Sequence, residues 1–430
     1  MHVSGGSTTL SRRALFGLLG AGVVAAGAPA LAARSKAKGP AKAKGPASLT
    51  KDAKPIAAEE HAARIARVQS LMRQRKVAAL LVEAGASLEY FTGIRWHRSE
   101  RTTAAVIPAE GLIVAVTPAF EEPSVRESLK ISADVRPWKE DESPFDLLAG
   151  ALRDRVPSAG PLAVEGTTRY FIVDRVVAAK GGPGRDVVSG DDLVRACRIV
   201  KSPAERALLQ AANDVTMAAI RSVHGRLEAG MARADVMKLL VETTEALGGA
   251  HQFSLVLLNE ASAYPHGSEK PQTIRKGSVV LVDSGCSVQG YQSDISRTWI
   301  FGEPTPRQRD VWNTVKRGQE IALETAKIGA PTGDVDRAVR AFYEGKGWGK
   351  DYALPGTSHR TGHGIGMEGH EPPYLVRNDT TPFEAGMCFS DEPGIYIPGE
   401  FGIRLEDCWV MTDSGPKLFT PLATSIDQPV

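Results

Sequence analysis

Cysteine is scarce in this chain: four in 430 residues, at positions 197, 286, 388 and 408, without a CxxC spacing among them. That pattern excludes a thiolate zinc knuckle and a disulfide-stapled scaffold, and buried free thiols are the simpler reading. Beyond residue 55 a basic surplus is also missing. Residues 1–55 hold nine of the 52 basic residues and one of the 50 acidic ones, leaving 43 against 49, a formal charge of −6, for the rest. Without a clustered basic face, a nucleic-acid partner is not expected. The one uncharged apolar stretch approaching membrane-spanning length is residues 14–33, and 42% hydrophobic with 24% charged residues suits two ordinary globular domains.

What is present begins with a leader. Arg12-Arg13 precedes the Ala/Gly/Leu/Val run of residues 14–33, which ends in the small-residue sites Ala28-Pro29-Ala30 and Ala30-Leu31-Ala32. The pair of arginines and the short apolar region predict a twin-arginine signal peptide over residues 1–33, the export machinery as partner and a periplasmic destination. An uncleaved membrane anchor is the alternative, weakened by so much Gly and Ala. Residues 34–55, rich in Lys, Ala, Gly and Pro, read as a flexible tether.

Two domains follow, at residues 56–195 and 196–430. Residues 57–75 carry apolar side chains at helical spacing (Ile65, Val68, Leu71, Met72), and residues 77–82 form a continuous apolar run suited to a buried strand. Alternating strand and helix candidates to residue 178 give an α/β first domain. Lys201-Ser202-Pro203-Ala204-Glu205 then combines an N-cap Ser, Pro at the first helical position and Glu three residues after the cap. The second domain reads as α+β: helices near 204–227, 233–247, 305–327 and 334–345, with strands near 279–283, 291–301, 387–392 and 402–411.

Chemistry concentrates on those strands. Asp283 ends the run Val280-Leu281-Val282, and Asp294 follows Gly290-Tyr291-Gln292-Ser293. A hairpin centred on the Val288-Gln289 link would set the two carboxylates opposite each other, about 4.5–5.5 Å apart at Cβ. Such a pair repels unless a cation lies between or one takes up a proton. Glu392 and Glu406 flank a Pro398-Gly399 turn, and His363 sits in Gly362-His363-Gly364. Four carboxylates with one imidazole favour hard or borderline divalent ions. They can hold two ions about 3.5–4 Å apart, an arrangement that generates hydroxide.

The order Asp283, Asp294, His363, Glu392, Glu406, set in the strings VDSG, GYQSDISRT, HRTGHGIG, EPGIY and GIRLED, resembles the pita-bread metallopeptidases, the family of aminopeptidase P, prolidase, methionine aminopeptidase and creatinase. Glu89-Tyr90-Phe91-Thr92-Gly93 resembles the amino-terminal domain of the aminopeptidase P and prolidase branch, which methionine aminopeptidases lack. The resemblance implies a C-terminal pita-bread domain preceded by a creatinase-like α/β domain, and two divalent ions, Mn²⁺ first, with Co²⁺, Zn²⁺ or Fe²⁺ as alternatives. It also implies a homodimer or larger assembly.

Residue by residue, it implies that His266 and His370 contact the substrate and assist catalysis, that His359 lines the specificity pocket, and that Arg404 orients substrate or a metal-binding carboxylate. Asp294 and Glu406 would bridge the ions while Glu392 takes a proton from a shared water that attacks the carbonyl before proline. The expected activity is hydrolysis of the Xaa-Pro bond at the N-terminus of proline-containing peptides. The alternatives are an Xaa-Pro dipeptidase (prolidase) or a non-peptidase metalloenzyme of this fold, such as a sulfonium-compound lyase. Asp391, beside Glu392 where an apolar residue is commoner in the family, is expected to add negative charge near the site.

Overall fold

The structure, a computed structural model, describes residues 47–156, 159–179, 184 and 186–430. The leader of residues 1–33 and the first part of the tether lie outside the described residues. Among the described residues no helix is long and apolar enough to cross a membrane. The end of the tether is docked: Leu49 N–H donates to the Leu247 carbonyl (2.9 Å), and Thr50 Oγ1 to the Gly248 carbonyl (2.9 Å).

The first domain runs α1 (Ala58–Gln74), β1 (Ala79–Glu83), α2 (Ala86–Thr92), β2 (Ala104–Pro108), β3 (Ile113–Pro118), α3 (Glu122–Ser128), β4 (Ala133–Trp138), α4 (Pro144–Arg155), β5 (Leu162–Val164), α5 (Tyr170–Ala178), β6 (Val187–Ser189) and α6 (Asp191–Arg198). The strands form one mixed sheet in the order β4-β3-β2-β1-β5-β6. Strand alternation sends Leu80, Val82, Ala105 and Ile107 to a core shared with Val68 and Met72 of α1, while Leu81 and Val106 pack with Leu148 of α4 and Ile172 of α5. Covering on both faces explains why these strands read as unbroken apolar runs.

The second domain has two halves, each a helix pair followed by antiparallel strands. The first comprises α7 (Pro203–His224), α8 (Arg233–Ala246), β7 (Ala250–Leu258), β8 (Ser278–Val288), β9 (Tyr291–Gln292) and β10 (Ile295–Phe301). The second comprises α9 (Pro306–Thr325), α10 (Gly333–Gly345), β11 (Gly362–Gly364), β12 (Glu371–Leu375), β13 (Cys388–Asp391), β14 (Gly394–Ile397), β15 (Phe401–Arg404), β16 (Asp407–Thr412) and β17 (Gly415–Leu418). The sheets are β10-β8-β7 with β9 on β8, then β12-β11-β13-β16-β17, and the pair β14-β15.

The α7 start signal is realised as a capping box. Ser202 Oγ accepts from Glu205 N–H (3.2 Å), and Glu205 Oε2 accepts from Ser202 N–H (2.8 Å). Glu205 has a second task, because its Oε1 accepts from Tyr291 O–H (2.9 Å) and lies 3.3 Å from Arg64 of α1, tying the two domains together. All four cysteines are buried and free, as expected.

Beside Arg64, His61 is buried with Nδ1 3.0 Å from the Tyr90 carbonyl. Burial, and then the Arg64 charge, lower its pKa from 6.5 to about 4. The unfolded chain therefore takes up a proton below pH 6.5 that the folded chain refuses. Stability contributed by neutral His61 is complete above that pH and is lost as pH falls towards 4. Chemical denaturation at pH 7.5 and pH 4.5 should show wild type losing roughly 2–3 kcal/mol more than His61→Gln.

Candidate active site

Two hairpins carry the acidic residues, and both turns are set by backbone that L-residues rarely adopt. Gln289 (φ 50°) and Gly290 (φ 87°) make a two-residue turn between β8 and β9. Val288 therefore faces Tyr291, and Asp283 faces Ser296 rather than Asp294. This corrects the sequence expectation by one residue in the turn centre. Asp294 lies two positions nearer the turn, diagonal to Asp283, yet oxygens of Asp283, Asp294 and Glu406 still lie within 4.8 Å of one another. The tight approach of the strands requires Gly285, where a Cβ would stand 2.2 Å from the Ser293 carbonyl oxygen.

The second hairpin keeps one register across two sheets: Asp391 pairs with Asp407 in β13-β16, and Gly394 with Arg404 in β14-β15. Glu392 and Glu406 fall in the gap between these ladders. Their backbone N–H groups leave the hairpin, Glu392 donating to the Thr361 carbonyl (2.8 Å) and Glu406 to the Ser296 carbonyl (3.0 Å). That opening aims both carboxylates at β8-β10 and β11.

From β11, His363 Nε2 reaches to 3.6 Å from Asp294 Oδ2, 3.5 Å from Glu392 Oε1 and 3.9 Å from Glu406 Oε1. Its Nδ1 lies 3.0 Å from the Gly364 carbonyl, which fixes the proton there and leaves the Nε2 lone pair pointing at the carboxylates. His363 Nε2 and Asp283 Oδ1 are buried with no hydrogen-bond partner. Burial first, then Glu406, pushes the Asp294 carboxyl well above the usual range. Burial first, then Glu392, does the same to Glu406. Glu392 is pushed up to about 7 by burial, against the pull of Arg404. A buried lone pair without a donor, facing carboxylates that resist ionising together, fits divalent cations held by all five residues.

Arg404 hydrogen-bonds a carboxylate of the site. Its Nη2 donates to Asp283 Oδ2 (2.5 Å), its Nε to Ser296 Oγ (2.9 Å) and its Nη1 to the Tyr396 hydroxyl (3.2 Å). Ser296 in turn donates to Glu406 Oε2 (2.7 Å). Tyr396 also meets His359 Nε2 (2.7 Å), whose Nδ1 lies 2.7 Å from the Arg360 carbonyl. Burial, with Arg404 next, takes His359 down to about 3, so it stands neutral beside Tyr396. His370 is half exposed, its ring 3.9 Å from that of His363 and its Nε2 3.8 Å from Asp294 Oδ2. His266 is exposed on the loop after a short 3₁₀ turn (Asn259–Ala263), near enough for its charge to be felt at His359 and His370.

Three contributors escaped the sequence reading. Ser296 and Tyr396 link the ligands only through the register of their hairpins. Arg360, inside HRTGHGIG, puts Nη2 3.2 Å from His370 Nδ1 and its guanidinium over the Tyr374 ring, 4.3 Å from the centroid. Its place within a quoted motif was the available signal. Asp391 departs from expectation in the other direction. It is fully buried on the opposite strand face from Glu392, toward Lys316 and Tyr343 of the helix pair, and neither oxygen has a hydrogen-bond partner. Burial, then Asp407, raises its pKa well above the ordinary value, favouring the neutral acid, so it adds little charge to the site.

Paired hairpins presenting four carboxylates and one imidazole, with their supporting hydrogen bonds, define a metallohydrolase centre. The family description "Metallopeptidase family M24" matches residues 207–413, and "Creatinase/Prolidase N-terminal domain" matches residues 64–200. An uncharacterized peptidase of Schizosaccharomyces pombe is 33% identical over 84% of this chain and 81% of its own length. The Xaa-Pro dipeptidase of Lactobacillus helveticus is 30% identical over 78% of this chain and 90% of its own. The crystal structure of dipeptidase PepE from Mycobacterium ulcerans superposes with a TM-score of 0.75 at 32% identity, covering 86% of this chain and 97% of that one. The chain belongs to the M24 metallopeptidase family and is a hydrolase with a creatinase-type N-terminal domain and a pita-bread catalytic domain.

Titration calorimetry with Mn²⁺ should show His363→Ala binding on the order of 100-fold more weakly, since it removes the one neutral nitrogen donor. Asp391→Asn should bind within about threefold of wild type, because its carboxyl faces away.

Proposed function

We propose that the protein is a metal-dependent dipeptidase that hydrolyses the Xaa-Pro bond of dipeptides. The observation that carries the hydrolytic reading is the buried His363 Nε2, without a hydrogen-bond partner and facing three carboxylates. What two divalent ions supply when bound is Lewis acidity towards the scissile carbonyl and an acidified water. Glu392 takes the proton of the attacking water as the C–O bond forms. That proton passes to the proline nitrogen as the C–N bond breaks. Half-exposed His370 stands at the solvent side of the carboxylates, where its N–H donates to the developing oxyanion, and His266 closes the same rim. Arg404 and Ser296 hold Asp283 and Glu406 at their angles throughout.

Dipeptide length is supported by the relatives named dipeptidase and by the hydrogen-bond donors at the rim. Arg360, with His370 and His266, suits the carboxylate that a dipeptide carries close to its scissile bond. An N-terminal aminopeptidase on longer peptides is the second reading, and substrate length separates the two. With the Mn²⁺-loaded chain lacking residues 1–33, kcat/KM for an Xaa-Pro dipeptide should exceed that for an Xaa-Pro-Yaa tripeptide at least tenfold, and an Xaa-Ala-Yaa control should be inert. Preference for the tripeptide would establish the aminopeptidase, and hydrolysis of neither would overturn the Xaa-Pro assignment. Glu392→Gln should lower kcat by roughly 10³-fold or more.

We infer that the protein is exported through the twin-arginine route, on the strength of Arg12-Arg13 and the apolar run behind them. Folding would then precede export, and Mn²⁺ would be acquired in the cytoplasm. Replacing both arginines with lysine should leave the chain in the cytoplasm on fractionation, whereas unchanged export would sink this route.

A further inference from the structure

The segment between the second and third histidines of HRTGHGIGMEGH, His363 and His370, is a loop that leaves the sheet at Gly364 and re-enters it at Glu371, paired with each other across a bulge. His363 stands one residue before its start and His370 one residue before its end. Glu371 carries no part of the chemistry described above, yet it is one of the most heavily paired acids in the protein. It is 4% exposed, its Oε2 accepts from Arg198 Nη2 (2.7 Å), and its Oε1 pairs with the Lys201 ammonium. Arg198 also reaches Glu368 of the same loop (2.8 Å) and donates to Ser87 Oγ of α2 (3.0 Å), which donates to Glu165 (2.5 Å). Gly366 lies over this carboxylate so closely that a Cβ would come within 2.5 Å of Glu371 Oε1. On its other side the loop is held by Gln292, whose N–H donates to the Gly366 carbonyl (2.8 Å) and whose Nε2 donates to the Met367 carbonyl (2.9 Å).

An interdomain ion cluster is ordinarily read as adhesive, and buried clusters of this kind are weak evidence for stability. The location of this one says more. His370 is exposed and meets solvent on one side, so its position depends on the backbone that carries it, and the adjacent residue on that backbone is the one fixed by two cations. Those cations come from the end of the first domain (Arg198 in α6) and the segment joining it to α7 (Lys201).

We propose that Glu371 is a positioning residue for His370, and that Arg198 and Lys201 use it to hold the histidine over the carboxylate centre. The first domain then contributes to turnover through this clamp as well as by covering its neighbour. The inference rests on the peptidase reading above for the role of His370.

The test is a double-mutant cycle. Glu371→Gln should lower kcat roughly 10- to 100-fold with KM within about twofold and Mn²⁺ affinity within threefold, since His363 and the carboxylates are held by other contacts. Lys201→Met leaves the Arg198 pair in place and should lower kcat about 3- to 10-fold, which keeps the test open if Glu371→Gln fails to fold. In a His370→Ala background neither change should lower kcat further. Equal losses with and without His370, loss of metal affinity in parallel with kcat, or an unchanged kcat in a folded Glu371→Gln would each overturn the proposal.

A second readout needs no activity: the His370 imidazole resonances of the metal-free chain should move in both variants, and unmoved resonances would also overturn it. If wild type hydrolyses no Xaa-Pro peptide, the functional reading fails by itself and the resonances alone decide whether the clamp positions His370.

Discussion

Repulsion between like charges in a dry site is the constraint around which the second domain is arranged. Asp283, Asp294, Glu392 and Glu406 converge where water is largely excluded, and burial with mutual repulsion raises the last three above their ordinary range. Asp283, Glu392 and Glu406 are kept aimed inward by groups that cannot relax away. Arg404 grips Asp283, Ser296 donates to Glu406, and the backbone N–H groups of Glu392 and Glu406 are drawn out of their hairpin by Thr361 and Ser296. A chain that spent so much backbone and side-chain order on repelling groups would be unstable without compensation, and cations at the centre provide it.

Register turns this constraint into a sequence pattern. Asp283 stands within a regular ladder, opposite Ser296, but the other three acids lie beside ladder pairs and not within them. Asp294 follows the short β9 and precedes β10, and Glu392 and Glu406 sit where β13-β16 gives way to β14-β15. A carboxylate in the middle of a fully paired ladder points to one sheet face with fixed spacing. At an interruption the strand can twist, and carboxylates from different sheets can meet. His363 follows the same rule, at the bulge where β11 changes partner register.

Sequence reading singled out the five candidate ligand positions, which the structure brings together, because they are chemically distinctive and their glycine-marked surroundings are local. It found β1, β2, β3 and β5 because burial on both sheet faces leaves continuous apolar runs. It missed β7, whose first half carries His251, Gln252 and Ser254 and is only partly buried, and it missed β11 and β12, too short for a period to show. The hairpin centre was misplaced by one residue because Gln289, a non-glycine, takes the left-handed conformation before Gly290. Spacing by itself gives no sign of that. Ser296 and Tyr396 stand inside the quoted strings GYQSDISRT and EPGIY, but what they bind, like the partners of Glu371, is legible only once register and domain packing are known.

Asp391 and Glu392 show how far one backbone position separates two fates. Alternation turns Glu392 toward the imidazole of His363 and Asp391 toward the helices behind the sheet. Both are carboxylates in low-polarity surroundings, and both resist ionisation. Opposite Asp391, Asp407 already holds Arg297 at 2.6 Å and accepts from Gln319 and Thr420, so that guanidinium is committed. With Asp391 left unpartnered, its least costly state is the protonated acid, whereas Glu392 faces an assembly of donor atoms suited to a cation. The same desolvation that keeps one acid neutral makes its neighbour a ligand, and the difference lies wholly in which face of the strand each occupies.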